Sequence, residues 1–409
     1  MLAFVLLAFA LSADRQRIPW RRVGLGLIIQ VLLGVLFLKA PILGDILLSL
    51  SKGITALQNV TARATQFMFG FLAGGPTPYQ VTTPEANFIV AFQVLPLILV
   101  VSALSAVLFH WGVLPRIISW MAYGLQKSFR ISGVLAFATA SSVFMGIIES
   151  PILIKPYLSK LSRSELFTLL CCGMATVAGT VMVLYAGVLQ PALPGAMAHI
   201  LTASVMSVPA ALILSQIMVP PAQDHLDALA SFEYTSTAQS TIDALMQGTR
   251  EGTSMVVNIA ATLIVLFACV YLFNDILALL PFAKPLTIQA IIAIPLKPLV
   301  WLTGVPWAQT GVAAELMATK TILNEFVAYL QLSKLPKGSL DARSQIIMVY
   351  NMCGFANLGS LGILVGGLGA LMPERRTELV GLAFRAVLIG TLATMMTGSI
   401  VALLHGFGV

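Results

Sequence analysis

The sequence predicts an all-α polytopic membrane protein with about eight transmembrane helices and two opposed re-entrant hairpins, arranged as an inverted-topology repeat. Three observations carry this expectation. The 409 residues are 58% hydrophobic and only 10% charged, where a soluble domain carries about 25% charged residues. The apolar residues fall into long runs at 23–38, 89–109, 166–189, 196–219, 256–280, 346–371 and 380–404, most of them close to the roughly 17–25 residues that cross a bilayer core. Finally, two further apolar stretches, 131–154 and 311–330, have flanks and charges that suit a hairpin better than a single crossing.

Taken in order, residues 1–12 read as a first, short helix. Arg15, Arg17, Arg21 and Arg22 place the next connection in the cytoplasm, because basic residues accumulate in cytoplasmic loops. Run 23–38 then leads outward, 39–87 is an external segment with interfacial helices, and 89–109 returns to Arg116, Lys127 and Arg130. Stretch 131–154 is basic on both flanks, with Lys155, Lys160 and Arg163 beyond it. A hairpin keeps both flanks inside, and its tip falls at Gly146-Ile147-Ile148-Glu149-Ser150-Pro151, where Gly permits a break and Pro forbids a helix interior.

Runs 166–189 and 196–219 read as two continuous spans. Residues 220–252, with Asp224, Asp227, Glu233, Asp243, Arg250 and Glu251, read as a cytoplasmic connection. Run 256–280 is a span, and 285–304, broken by Pro295 and Pro298, reads as an interfacial or partly inserted element. Stretch 311–330 holds Glu315, Lys320 and Glu325, too many charges for a lipid-facing helix, and reads as a second hairpin entering from outside. Spans 346–371 and 380–404 follow, which leaves Lys334, Lys337 and Arg343 outside. The chain thus divides into an N-terminal scaffold (1–130), a first transport repeat (131–219), a cytoplasmic connection with a scaffold helix and interfacial segment (220–310), and a second repeat (311–409). Hairpin, span, span occurs twice with opposite entry, and in such folds a small solute binds near the midplane at broken helices.

Glu149 at the first tip and Glu325 in the second hairpin are carboxylates at membrane depth, costly unless paired or solvated. Each reads as a ligand for solute or cation, the alternative being a hydrogen-bonded group that pins its turn. Glu315 and Lys320, five residues apart, read as an ion pair within the hairpin or as part of a site. Asn357 and Ser360 are three apart, expected on one helix face, beside a kink at Gly354 and Gly359. Their alternative, shared by Ser142 and Thr176, is interhelical hydrogen bonding.

The net charge of +7 does not indicate nucleic-acid binding, because no basic cluster sits among aromatics. Cys171, Cys172, Cys269 and Cys353 lie in apolar runs and read as small core residues. The four histidines lack metal-ligand spacing. No nucleophile or metal cluster accompanies Glu149 and Glu325, so an intramembrane enzyme is the lesser alternative, no cofactor is expected, and a passive channel is a third reading.

Four segments together carry a resemblance: Gly146-Ile147-Ile148-Glu149-Ser150-Pro151, Gly304-Val305-Pro306-Trp307, Asn324-Glu325-Phe326-Val327-Ala328-Tyr329, and Cys353-Gly354-Phe355-Ala356-Asn357-Leu358 with Gly366-Gly367-Leu368-Gly369. They resemble the concentrative nucleoside transporter family, over nearly the whole chain. The resemblance implies a homotrimer in the cell inner membrane, each protomer an ion-coupled symporter that imports a nucleoside-like solute by alternating access. It implies sugar contacts from Glu325, Asn357 and Ser360, an aromatic beside the base at Phe355, and base contacts at the tip from Gly146 and Glu149. Ile147 and Ile148 stand where the family has Gln and a hydroxyl residue, which opens the alternative of a non-nucleoside or modified-nucleoside solute. The implied sodium site uses Ser142 and Thr176 side chains with Met145 and Val177 carbonyls. Ser142 stands where the family's sodium site has Asn, as in members that look proton-coupled, so the coupling ion is expected to be Na+ or H+.

Overall fold

The computed structural model describes residues 1–39, 41–83, 87–221, 238–281 and 286–406, and among them only helices, turns and irregular connections occur. The N-terminal region contributes α1 (Leu2–Ala10), α2 (Trp20–Lys39), α3 (Pro41–Phe69), α4 (Val90–Gln93), α5 (Pro96–His110) and α6 (Val113–Phe129). Next come α7 (Gly133–Ser141), α8 (Glu149–Leu153), α9 (Arg163–Ala175), α10 (Gly179–Leu189) and α11 (Ala196–Met218). Then follow α12 (Thr241–Ala278), α13 (Ile288–Leu302), α14 (Thr310–Ile322), α15 (Glu325–Ser333), α16 (Ala342–Met352), α17 (Leu358–Leu371) and α18 (Arg376–Gly406).

Six helical stretches among the described residues are long and apolar enough to cross a membrane: Trp20–Lys39, Val90–His110, Arg163–Leu189, Ala196–Met218, Thr241–Ala278 and Pro373–His405. Two of the eight expected spans fall short for different reasons: α1 has nine residues, and 346–371 is interrupted between α16 and α17. The stretches form two shells. The most apolar 18-residue window of Arg163–Leu189 is 94% buried, against 6% of that of Thr241–Ala278. The enclosed set, α9, α10, α11 and α18, forms the centre, and α12 packs along α5 at its edge.

Several expectations need correction. Residues 113–129 form helix α6: Ile118, Ala122 and Phe129 recur on one buried face while Arg116 and Lys127 remain exposed. Residues 241–252 are the first turns of α12 rather than a loop, because the Ser240 hydroxyl accepts from the Asp243 amide and caps it. The rest of that expected connection, 222–237, lies outside the described residues. Run 166–189 is not continuous: Thr176 and Ala178 are extended, and the chain restarts as α10 at Gly179. Cys269 is exposed on α12, unlike the buried Cys171, Cys172 and Cys353.

Residues 131–165 form a hairpin. Ser132 Oγ donates to Glu165 Oε1 at 2.7 Å, so the chain leaves and returns at one place. The Ser162 hydroxyl and Glu165 also cap α9 reciprocally. At the far end, Ser150 Oγ donates to Ala138 O at 2.5 Å and folds α8 back on α7. Residues 309–341 do the same: Gln309 Nε2 donates to Asp341 Oδ2 at 3.0 Å. Asp341 in turn caps α16, and the Ser344 N–H donating to it holds its carboxyl below the usual carboxylate range.

The open ends of the two hairpins face opposite ways. Arg375 Nη1, just before α18, donates to Leu158 O and Leu161 O beside the first open end. Arg343 Nη2, just after the second open end, donates to Ala402 O near the far end of α18. A helix rises about 1.5 Å per residue, so these points lie about 40 Å apart. Labelling with a membrane-impermeant maleimide tests the orientation, after the exposed Cys269 is replaced by Ser. Lys337→Cys is expected to react in intact cells and Lys160→Cys only after permeabilisation; reaction of both from one side would overturn the opposed arrangement.

Candidate functional site

Four interruptions in helical structure meet at the centre: 142–148, 176–178, 323–324 and 353–357. Each frees backbone groups that must find partners in an apolar interior, and three of the four breaks are joined to one another by backbone hydrogen bonds. Gly179 N donates to Phe144 O at 2.9 Å, tying the first tip to the break before α10. A Cβ at Gly179 would stand 3.1 Å from that carbonyl, so glycine permits the approach. Phe355 N donates to Thr176 O at 3.2 Å and joins the two interrupted spans.

Glu325 opens α15, capped by Asn324, whose side chain accepts from Val327 N. Glu325 is 3% exposed. Tyr185 OH on α10 donates to Oε1 at 2.5 Å, and Asn357 Nδ2 donates to Oε2 at 3.0 Å. Asn357 is the N-cap of α17, so Asn357 and Ser360 do not share a helix face as expected from their spacing; they stand as cap and third residue. The cap determines the chemistry. Asn357 Oδ1 accepts from Ser360 N at 2.7 Å, which leaves only the amide's donor end for Glu325. A carboxylate offers about four lone-pair directions; here side chains use two and the residue's own backbone amide also lies within reach, and what remains can accept a hydroxyl of a solute.

At the first tip, a Cβ on Gly146 would overlap the Glu149 carboxylate, so the side chain of Glu149 folds over a position that only glycine leaves open. Glu149 is partly exposed, and Glu251 of α12 lies within its electrostatic range. Ile147 and Ile148 part company. Ile147 is 8% exposed and lies against Gly173 of α9, whereas the more exposed Ile148 occupies the space above Gly367 of α17. Phe355 is partly exposed beside the same break.

Ser142 and Thr176 are each 1% exposed. Their hydroxyls donate to Thr139 O at 2.7 Å and Cys172 O at 2.9 Å, which leaves oxygen lone pairs as donors for a hard cation. Val177 N donates to Ser204 Oγ at 3.5 Å, and Met145 sits in the tip loop that Gly179 anchors.

The expected Glu315–Lys320 ion pair does not form. Five residues turn a helix by about 140°, so Glu315 is exposed while Lys320 is wholly buried. Tyr185 is the residue of this candidate site that sequence reasoning missed. The available signal was a single phenol in the otherwise apolar 181–189, which must find a partner when buried. On the side of the second open end, a cavity of about 450 Å³ lies between α3, α5, α10 and α15, lined among others by Gln58, Gln93, Leu184, Val188, Leu330 and Lys334.

Hairpins of opposite sense meeting interrupted helices around buried polar groups define a membrane transporter. Residues 1–72 match the family described as Na+ dependent nucleoside transporter N-terminus, 91–192 match Nucleoside recognition, and 199–402 match Na+ dependent nucleoside transporter C-terminus. The nucleoside permease NupC of Helicobacter pylori is 33% identical over 416 residues, covering 99% of this chain and 96% of the relative. The putative nucleoside permease NupX of Escherichia coli is 32% identical over 414 residues, covering 99% and 97%. The structure of CNTnw in an inward-facing substrate-bound state superposes with a TM-score of 0.89 at 33% identity, over 100% of this chain and 97% of that one. The chain belongs to the concentrative nucleoside transporter family and is a transporter, not an enzyme.

Proposed function

We propose that this protein imports nucleosides across the cell inner membrane as an ion-coupled symporter working by alternating access. The observation that carries the reading is the buried Glu325 carboxylate, held by Tyr185 and Asn357 with unused acceptor directions. That arrangement suits vicinal sugar hydroxyls, with Asn357 and Ser360 beside them. Phe355 lies next to the base, and Glu149 with Gly146 forms the polar part of the tip. The repeats 131–219 and 311–409 carry the solute between faces, and 1–130 with 220–310 holds them in the bilayer. Protomers assemble as a homotrimer, for which the apolar, largely uncovered α12 offers surface; light scattering is expected to give three times 43.5 kDa.

Na+ or H+ drives the symport. The oxygens of Ser142, Thr176, Met145 and Val177 suit Na+; serine at 142, where the family's sodium site has Asn, leaves H+ as the rival. Uptake of a labelled nucleoside panel into proteoliposomes, under separate Na+ and H+ gradients, tests solute and ion together. Accumulation of at least one nucleoside driven by one of the two gradients is expected and would exclude a passive channel; equilibration without accumulation would overturn the ion coupling.

The base readout is the place where a modified nucleoside, or a solute that is not a nucleoside, could be preferred instead. Both isoleucines pack on a glycine, but Ile147 is buried there while Ile148 keeps part of its surface exposed, so Ile148 alone presents an apolar wall in place of a hydrogen-bonding residue. One regained hydrogen bond contributes about 0.5–1.5 kcal/mol, so Ile148→Thr is expected to improve uridine affinity about two- to tenfold. Ile147→Gln should instead destabilise the tip. Unchanged uridine affinity in Ile148→Thr would remove the wall from the specificity argument.

A further inference from the structure

Among the described residues, Lys320 is the buried charged residue that the proposed mechanism leaves unused. It lies in the last turn of α14, 0% exposed, and its Nζ has no hydrogen-bond partner among the described residues. The C-terminal end of a helix favours a cation there, but a lone buried ammonium remains costly. The ionisable groups that act on it electrostatically are Glu325, across the break at the start of α15, and the Cys353 thiol. Neighbouring phenols are committed elsewhere: Tyr185 donates to Glu325 and Tyr329 to Val349 O. Glu315, on the same helix, is exposed. Glu325 is therefore the carboxylate available to Lys320, and the acceptor directions it has left are the ones a solute's hydroxyls would use.

We propose that Lys320 is the internal counter-cation of Glu325, pairing with the carboxylate when the solute has left and giving it up when the solute's hydroxyls bind. The proposal rests on the reading of Glu325 as the solute-binding carboxylate. Its physical content is competition. The long, flexible lysine side chain and the solute share the same lone pairs, so a carrier without solute need not reorient with a bare charge in its apolar interior. Loading with solute frees Lys320, and the two never occupy Glu325 together. Lys320 thus acts on transport through Glu325 and does not touch the solute.

The first test uses no solute. A thermal-unfolding cycle in detergent compares Lys320→Met, Glu325→Gln and the double variant. Each single change strands one charge, so the double variant is expected to be more stable than the sum of the two losses allows; additive losses overturn the pairing. If Lys320→Met cannot be purified, rescue by adding Glu325→Gln is the expected result, and failure of rescue overturns it. The second test measures labelled uridine. Removing the competitor is expected to tighten uridine binding about three- to tenfold in Lys320→Met, with Lys320→Arg close to the parent. Net uptake should fall about tenfold or more while uridine exchange stays within about twofold, since exchange does not require the solute-free carrier to reorient. Parallel loss of binding, exchange and net uptake would overturn the role of Lys320. A parent protein that binds no uridine would instead refute the nucleoside reading, and the solute-free cycle would still decide the pairing.

Discussion

Glu325→Gln is expected to weaken nucleoside binding at least tenfold, about 1.4 kcal/mol or more, while the protein remains folded. The size follows from the donors around the carboxylate. Tyr185 OH and Asn357 Nδ2 both point at it, and the amide of Asn357 cannot turn over because its oxygen caps α17 through Ser360 N. A glutamine presents one oxygen and one NH2 group. With its NH2 toward Asn357 a donor faces a donor, and with its NH2 toward Tyr185 the phenol must turn from donor to acceptor; either way the charge that strengthened both hydrogen bonds is gone, and hydrogen bonds to charged groups contribute about 1.5–3 kcal/mol each. Calorimetric titration of uridine into monodisperse Glu325→Gln checks this. An affinity within twofold of the parent would show that the carboxylate does not hold the sugar.

Gly354→Val is expected to reduce uptake tenfold or more and to lower the unfolding midpoint. A Cβ at residue 354 would meet Met174 O at 2.9 Å, the Ala175 carbonyl carbon at 3.1 Å and Thr394 Cγ2 at 2.8 Å. Two of these are backbone atoms at the end of α9, which cannot rotate away as a side chain would. Overpacking costs about 1–3 kcal/mol even where side chains yield. Here the chain must move where Phe355 N reaches Thr176 O, the bond that joins the two interrupted spans. Gly366→Val is the control: a Cβ at 366 meets nothing within 4 Å, so parental uptake and midpoint are expected. Equal effects at both positions would mean that close packing at the breaks is not what requires glycine at 354.

Much of the architecture was legible in the chain because lipid imposes strong rules. Long apolar runs, basic flanks and two charged hydrophobic stretches locate the crossings and the hairpins without any contact being known. The carboxylates were legible for the same reason: Glu149 and Glu325 stand where a charge is expensive. Helix α6 was not, because an amphipathic stretch carrying Arg116 and Lys127 looks like any basic connection until Ile118, Ala122 and Phe129 have a surface to cover. Glu315 and Lys320 could have been separated by turning a helix through their spacing, which places them on different sides.

By itself, then, the sequence determined the solvent, the approximate crossings, the two tips and the acidic group each tip carries. The tertiary structure decided the remainder. Gly179 permits a break in the run 166–189, but the backbone groups that the break exposes are satisfied by Phe144 O and Phe355 N, each far away in the chain. Tyr185 becomes part of the site because α10 passes Glu325, and Asn357 serves both as helix cap and as donor because α17 begins beside α15. Ile147 and Ile148, adjacent and alike in the sequence, separate because Gly173 and Gly367 lie on different helices. In each case a polar or shape requirement is met by a residue remote along the chain, and such pairings exist only once the helices have packed.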